Sequence, residues 1–375
     1  MPRLVVDAFL DPSNVAGSLA ASSSRLINQY LESVAPGHGK SPLWLVRTPG
    51  LKPFCNFSDG PIRGLFEIND RAFAAGGTTF SELYTNGTQG PSFPIANDTQ
   101  PVSFASNGSA GHQVMFTSAG FGYIYDLNAN TCTQITASGF PSPARTCEFM
   151  DGYFLVLKGG GSRQFQWSAL EDGTSWDALD VAQRSEAADN LTSLIRNHRE
   201  IWLIGFRTSE VWYDQGDVNN VFAPLQGVFI EHGGQGVFTP QRCDNTLIWM
   251  GLNDDGQGIV WRADGYTPRR ISTFAVETDL QRAATPTDAK AWVYQMRGHV
   301  FYVLILPRNA TSWVYDVTMD RWHEWATWNP VTASYMPHVA GCHTFAFNTH
   351  LVGSQFDGTI YEMSEDFLDE EIIGI

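Results

Sequence analysis

Cysteine is scarce and unpatterned: five residues in 375, odd in number and never in a C-x-x-C pair. That excludes a disulfide framework and a thiolate metal site, and leaves reduced thiols of a cytosolic chain as the expectation. Positive charge is short as well. Lys and Arg total 23 against 39 Asp and Glu, for a net charge of −16, and no Lys/Arg run occurs. Tight nucleic-acid binding needs cations to neutralise phosphates, so this composition argues against it. Long apolar runs are missing too, and no window approaches the roughly 18 residues of a membrane-crossing helix. The opening MPRLVVDAFLDPSN is broken by Asp7 too early for a secretory signal, so folding in a cytosol is expected. Catalytic signatures are equally absent. Gly159-Gly160-Gly161 is not followed by G-K-[ST], no G-x-S-x-G elbow occurs, and none of the nine histidines forms H-x-x-x-H or H-E-x-x-H. The reading is a non-enzyme with no catalytic residue, no metal ligand and no cofactor.

What the chain does have is apolar and aromatic residues, at 43% and 13%, with 35 Gly and 19 Pro to make turns. Seven aromatic-centred segments recur, anchored at Tyr84, Tyr125, Trp167, Trp212, Trp261, Tyr315 and Tyr361. Successive gaps are 41, 42, 45, 49, 54 and 46 residues. Ten to thirteen residues before each anchor lies a second short apolar run, such as Val114-Met115-Phe116, Ile201-Trp202-Leu203 or Phe301-Tyr302-Val303. Two strands and their turns within such a period match a four-stranded propeller blade. Asn69-Asp70, Ala119-Gly120, Asp151-Gly152, Asp264-Gly265 and Asp357-Gly358 supply hairpin turns.

The expectation is therefore an all-β fold, a β-propeller of seven blades over residues 50–375, with the seven anchors as structural residues. Six blades plus an irregular module is the alternative. Residues 1–49 carry no blade pattern and read as a partly irregular N-terminal arm, with Pro36–Gly39 as a loop. Such an arm lies outside the blades or supplies the strand that closes the last blade. Glu277–Ala284 reads as a helical insertion, which accounts for the longest gap. Ser168–Trp176 (SALEDGTSW) is similar to the Asp-box turn of sialidase propellers. However, Leu170 and Thr174 stand where that box needs Ser and Gly.

Several phrases together resemble a known family. They are Arg25–Leu31 (RLINQYL), Thr48-Pro49-Gly50-Leu51, Phe165–Asp180 (FQWSALEDGTSWDALD), Ile201–Trp212 (IWLIGFRTSEVW), Phe229–Gly236 (FIEHGGQG), Arg270-Ile271-Ser272-Thr273, Gly298–Pro307 (GHVFYVLILP) and Thr311–Trp325 (TSWVYDVTMDRWHEW). They resemble the packaged-DNA stabilisation proteins, or tail hub (nozzle) subunits, of short-tailed bacteriophages, over about residues 25–364. The resemblance implies a structural virion protein of the viral tail, assembled in the host cytoplasm as a homo-hexamer. It implies an adaptor ring above, and tail fibres, spikes or a needle below or around. Genomic DNA would pass through the channel without sequence-specific reading, and no membrane would be entered. Family members often continue past the last blade, so a distal domain is an open question for a chain ending at Ile375. A propeller that binds or hydrolyses carbohydrate is the competing reading, and a cellular adaptor propeller is the third.

Overall fold

Apolar runs of strand length, separated by turn residues, can bury both of their faces only if sheets stack against one another. In the computed structural model the chain forms seven antiparallel sheets around a common axis, a seven-bladed β-propeller with 58% of its residues in strands. The structure describes residues 13–15, 23–34, 42–184, 186–217, 220–253, 255–283, 285–309 and 311–372. Blade 1 comprises Ile62–Ile68, Arg71–Gly76, Thr79–Leu83 and Gln89–Pro94, running from the axis outward. Blades 2 to 6 follow over 103–134, 144–183, 191–230, 241–270 and 290–337, the last with a fifth strand.

Each recurring feature of the sequence has a place in the blade. The short apolar runs are the second strands, where Ala72–Ala74, Val114–Phe116, Phe154–Val156 and Phe301–Val303 are almost wholly buried. A second strand has neighbouring blades on both faces, so its residues are apolar throughout rather than alternating. Six anchors sit on third strands and are buried: Tyr125, Trp167, Trp212, Trp261, Tyr315 and Tyr361. Tyr84 departs from the expectation. It lies one residue past the third strand of blade 1 and is 42% exposed. Leu83 fills the inward position instead, pairing with Ala72.

The core is divided rather than single. Seven hydrophobic clusters exist among the described residues, and each fills the gap between two adjacent blades. Trp212 thus packs blade 4 against blade 3, its ring 5.4 Å from that of Phe165. Trp261 belongs to the blade 4–5 cluster with Trp202 and Trp249. Two-residue turns join first to second strands at Asn69-Asp70 and Asp244-Asn245, where both φ values are positive, between 49° and 62°. These are residues that tolerate the left-handed conformation of a type I′ turn. Between blades 5 and 6 stands the expected helix, Phe274–Arg282. Its Glu277 accepts from Arg270 Nε at 2.7 Å and from Ser272 Oγ at 2.6 Å.

The ring is closed by residues just past the arm and not by the arm itself. Blade 7 takes three strands from the end of the propeller, Ala340–Ala346, Thr349–Ser354 and Thr359–Ser364. Its outermost strand comes from Gly50–Asn56, residues just beyond the proposed arm. The register runs from Thr359↔Asn56 to Ser364↔Gly50. Arm residues lie outside the blades, as a hairpin of Gln29–Ser33 with Leu43–Arg47 laid on blade 6. The Pro36–Gly39 loop falls outside the described residues.

The clusters define a stability test. Trp212→Ala or Trp261→Ala is expected to cost about 3–5 kcal/mol in urea unfolding. Tyr84→Ala is expected to change stability by about 0.5 kcal/mol or less. A near-neutral tryptophan substitution would show that the inter-blade packing does not hold the ring together.

Candidate functional site

Three features deserve comparison: the axial tunnel, a groove between blades 4 and 5, and the arm-bearing side of blade 6. The tunnel is lined by the innermost strands of all seven blades and encloses about 530 Å³. Its walls carry Arg63, Glu67, Glu148, Arg242, Lys290 and His343 among mostly uncharged residues. Arg63 is committed to backbone: Nε donates to Gly77 O at 2.9 Å and Nη2 to Ala96 O at 3.0 Å. Glu67 accepts from the Asp70 amide at 2.9 Å, which caps a turn at one mouth. Burial pushes the Glu148 carboxyl up, opposed by Arg242 and Arg196. A duplex whose major groove alone is about 12 Å wide cannot pass through so small a space. The propeller's own tunnel is no DNA conduit.

The groove between blades 4 and 5 is larger, about 880 Å³, and is lined by His198, Glu200, Trp202, Asp244, Arg262 and Tyr266 among others. Two of its three carboxylates, Glu200 and Asp244, are engaged. Glu200 accepts from the Tyr266 hydroxyl at 2.5 Å, and Asp244 lies 2.8 Å from Arg262 Nη2. His198 Nε2 and Asn245 Oδ1 are 2.8 Å apart, and the Trp202 and Tyr266 rings stack at 6.2 Å. Such a wall suits hydrogen bonding and ring stacking. Of the lining carboxylates Asp264 alone is left, where glycoside hydrolysis uses a pair of carboxyl groups. The Ser168–Trp176 turn is structural: Asp172 Oδ1 accepts from the Thr174 amide at 2.9 Å and hydroxyl at 2.7 Å. No group of three or more His, Cys, Asp or Glu that could hold a metal occurs among the described residues.

Blade 6 receives the arm through a dense polar seam. Arg25 pairs with buried Glu324, which also accepts from the Thr311 hydroxyl at 3.0 Å. Asn28 bonds both backbone groups of Ala326, at 2.8 and 2.9 Å. Glu32 and Asp316 flank the His299 ring, 2.8 Å from Nε2 and 2.7 Å from Nδ1. Beyond the seam, Trp328 and Val331 stand exposed at 51% and 87%, with Tyr335 edge-on to Trp328 at 5.1 Å. Exposed aromatic edges of this kind mark interaction surfaces.

A family model described as phage stabilisation, bacteriophage P22 Gp10, β-propeller, matches residues 23–368. The chain belongs to this family. Membership covers the arm hairpin as well as every blade, and places the protein among structural phage proteins of the DNA-stabilising class. None of the curated proteins compared with it matches. Solved structures similar to it are propellers at low identity. The extracellular domain described as a one-component system, BT4673, from B. thetaiotaomicron is 7% identical with a TM-score of 0.54. That match covers 84% of this chain, and this chain spans only 40% of that one. A streptogramin B lyase is 11% identical, TM-score 0.54, covering 84% and 98% of the two chains. The WD40 repeats of RRP9 are 11% identical, TM-score 0.50, covering 85% and 99%. At such identities the likeness is one of fold alone.

None of the tunnel, groove or seam residues is among the seven anchors. Innermost strands such as Gln241–Cys243 are short and only partly apolar, so the period does not flag them. His299 was visible only as a histidine beside an apolar run, since its partners are 17 and 267 residues away.

The seam makes stability depend on pH. The hydrogen bond to Asp316, reinforced by Glu32 against the opposing effect of burial, raises the His299 pKa from 6.5 to about 9. The folded value exceeds the unfolded one, so the protonated ring contributes fully below pH 6.5 and the contribution is lost as pH rises through about 9. Buried His323, lowered to about 3, stays neutral across that window. Unfolding free energy is expected to fall between pH 6.5 and 9 in the native protein, and this slope is expected to shrink in His299→Gln. Equal slopes in urea titrations of the two proteins would refute the assignment.

Proposed function

We propose that this chain is a tail hub, or nozzle, subunit that forms a homo-hexameric ring, extends the DNA channel below the head-to-tail adaptor, and catalyses nothing. The observation that carries the reading is the family match over residues 23–368. In this reading DNA runs through the centre of the ring, between subunits, because the tunnel of each propeller is too small. A net charge of −16 suits a conduit, since weak or repulsive contact keeps the duplex from stalling during ejection. The adaptor lies above, and fibres, spikes or a needle lie below or around. The protein resides in the virion.

A closed ring needs two unlike faces on each subunit. The exposed edge of blade 6, with Trp328, Val331 and Tyr335, is our candidate for one of them. The arm is a poor target for testing this by deletion, because Leu26, Tyr30, Leu31 and Val46 are buried against the body. A carbohydrate-binding role is the second reading, favoured by the groove of about 880 Å³ with its stacked Trp202 and Tyr266.

Native mass measurement and particle images of the purified protein, alone and with an adaptor ring, test the first reading. Six-fold particles are expected. The double variant Val331→Asp, Trp328→Ala is expected to lose the ring while shifting subunit stability by about 0.5 kcal/mol per site or less. Affinity for DNA is expected to be negligible at physiological salt. A protein that stays monomeric under both conditions and is absent from virions would overturn the proposal. Saturable binding of an oligosaccharide in the groove, lost in Tyr266→Ala, would support the second reading.

A further inference from the structure

A ring closed head to tail needs a face unlike the blade 6 edge on the same chain. The fourth strands of blades 3 and 4, Asp172–Gln183 and Phe222–Ile230, share a departure from the regular blade. In blade 3, Trp176 and Val181 are five positions apart, while their partners Ser168 and Gln166 are two apart. In blade 4, Pro224 and Phe229 are likewise five apart, against two for Trp212 and Glu210. In the other blades the third and fourth strands slip by one residue at most.

The two bulges turn different ways. Leu225 and Val228 of the blade 4 bulge pack back onto the blade 4–5 cluster. In the blade 3 bulge Leu179 is 85% exposed, between Asp177 and Asp180. Asp177 Oδ1 accepts from the Leu179 amide at 2.9 Å, and the base of the bulge lies against Gly139, where a Cβ would stand 2.4 Å from Trp176 O. A bulge is enough to blunt a sheet edge, and a polar tip would do so without exposing a leucine. Charge makes this face the complement of the blade 6 edge. Among the described residues no cation pairs with Asp177 or Asp180, and burial, followed by the field of Asp177, raises the Asp180 pKa. The projecting hairpin of blade 6, residues 326–337, carries no charge of its own. Beside it stand Arg25, which lies near Tyr335, and Arg282, exposed at the end of the helix and without an ion pair among the described residues. The acids on that side are engaged, Glu324 by Arg25 and Asp279 by Trp313 Nε1.

We propose that the blade 3 bulge is the second lateral face of the ring, and that it receives the blade 6 hairpin of a neighbouring copy of this chain. Leu179 of one copy meets Trp328, Val331 and Tyr335 of the next, while Asp177 and Asp180 face Arg282 and the edge of Arg25. The apolar residues supply the contact, and the rim charges set its direction, because two blade 3 faces would bring acid against acid. This assignment rests on the ring proposed above and names the surface that completes it.

Native mass measurement of full-length variants provides the test, alone and with an adaptor ring. Leu179→Asp is expected to lose the six-fold particle while keeping the circular dichroism spectrum and urea midpoint of the native chain. Asp180→Lys is expected to weaken assembly about tenfold, and Arg282→Glu in the same chain to restore it. The double variant Leu179→Cys, Val331→Cys is expected to give, on oxidation, a ladder of linked chains up to six that neither single variant gives. A ring that survives Leu179→Asp, no restoration by Arg282→Glu, or a double-cysteine ring that yields no ladder would each overturn this assignment and leave the ring itself standing. A native protein that forms no ring under either condition would overturn both.

Discussion

A ring of sheets has no natural first or last member, so the whole fold depends on how the chain seals it. Here the seal is the pairing of Gly50–Asn56 with Thr359–Ser364, some 300 residues apart. Without it, blade 7 would expose an unpaired edge, and the clusters on either side of it would open to water. Pro53, which cannot donate a ladder hydrogen bond, is tolerated because this strand lies on the outside of its blade. The chain then reinforces the seam from both ends. Leu51 donates to Asp369 O at 3.2 Å and accepts from the Glu371 amide at 2.8 Å, so the C-terminal segment covers the closing strand. The arm hairpin buries Tyr30 and Val46 in the blade 6–7 cluster beside Leu51. Closure, arm and tail converge on blades 6 and 7.

That convergence explains which parts of the fold were legible. Second-strand runs and third-strand aromatics repeat because every blade meets two neighbours through the same geometry. The period therefore reports a physical constraint that seven gaps share. The constraint acts on inward position and not on aromatic identity, so Leu83 satisfies it in blade 1 while Tyr84, one residue on, points out. The alternation of faces along a strand makes a one-residue error a change of face. The seat of the arm was illegible for a different reason. Its Ile27 bridges to Glu324 and Asn28 to Ala326, contacts nearly 300 residues apart that leave no local pattern.

The candidate sites were less legible still, because chemistry here arises from charges that the fold isolates. Glu324 looks like one acidic residue among many, yet it is buried beneath Arg25 and Thr311. Burial makes Glu324 a fixed feature, and only tertiary structure reveals burial.

The same division separates what the propeller does for the protein from what it does for a virion. Propellers as unlike as a streptogramin B lyase and the WD40 repeats of RRP9 share this architecture, so the blades alone carry no function. Function must lie where this chain departs from seven-fold regularity. The departures concentrate on one side: a helix before blade 6, a fifth strand on blade 6, and an arm sewn across it. The helix and the arm are held by polar contacts: Glu277 to Arg270 and Trp313 Nε1 to Asp279 at 3.0 Å for the helix, and Arg25 to Glu324 for the arm. A fold that needs only seven equivalent gaps has no use for such an elaborated sector. Trp328 and Tyr335 pair across the fourth and fifth strands of blade 6 and, with Val331, remain exposed to solvent, which is why the contact surface is proposed here and not on a regular blade.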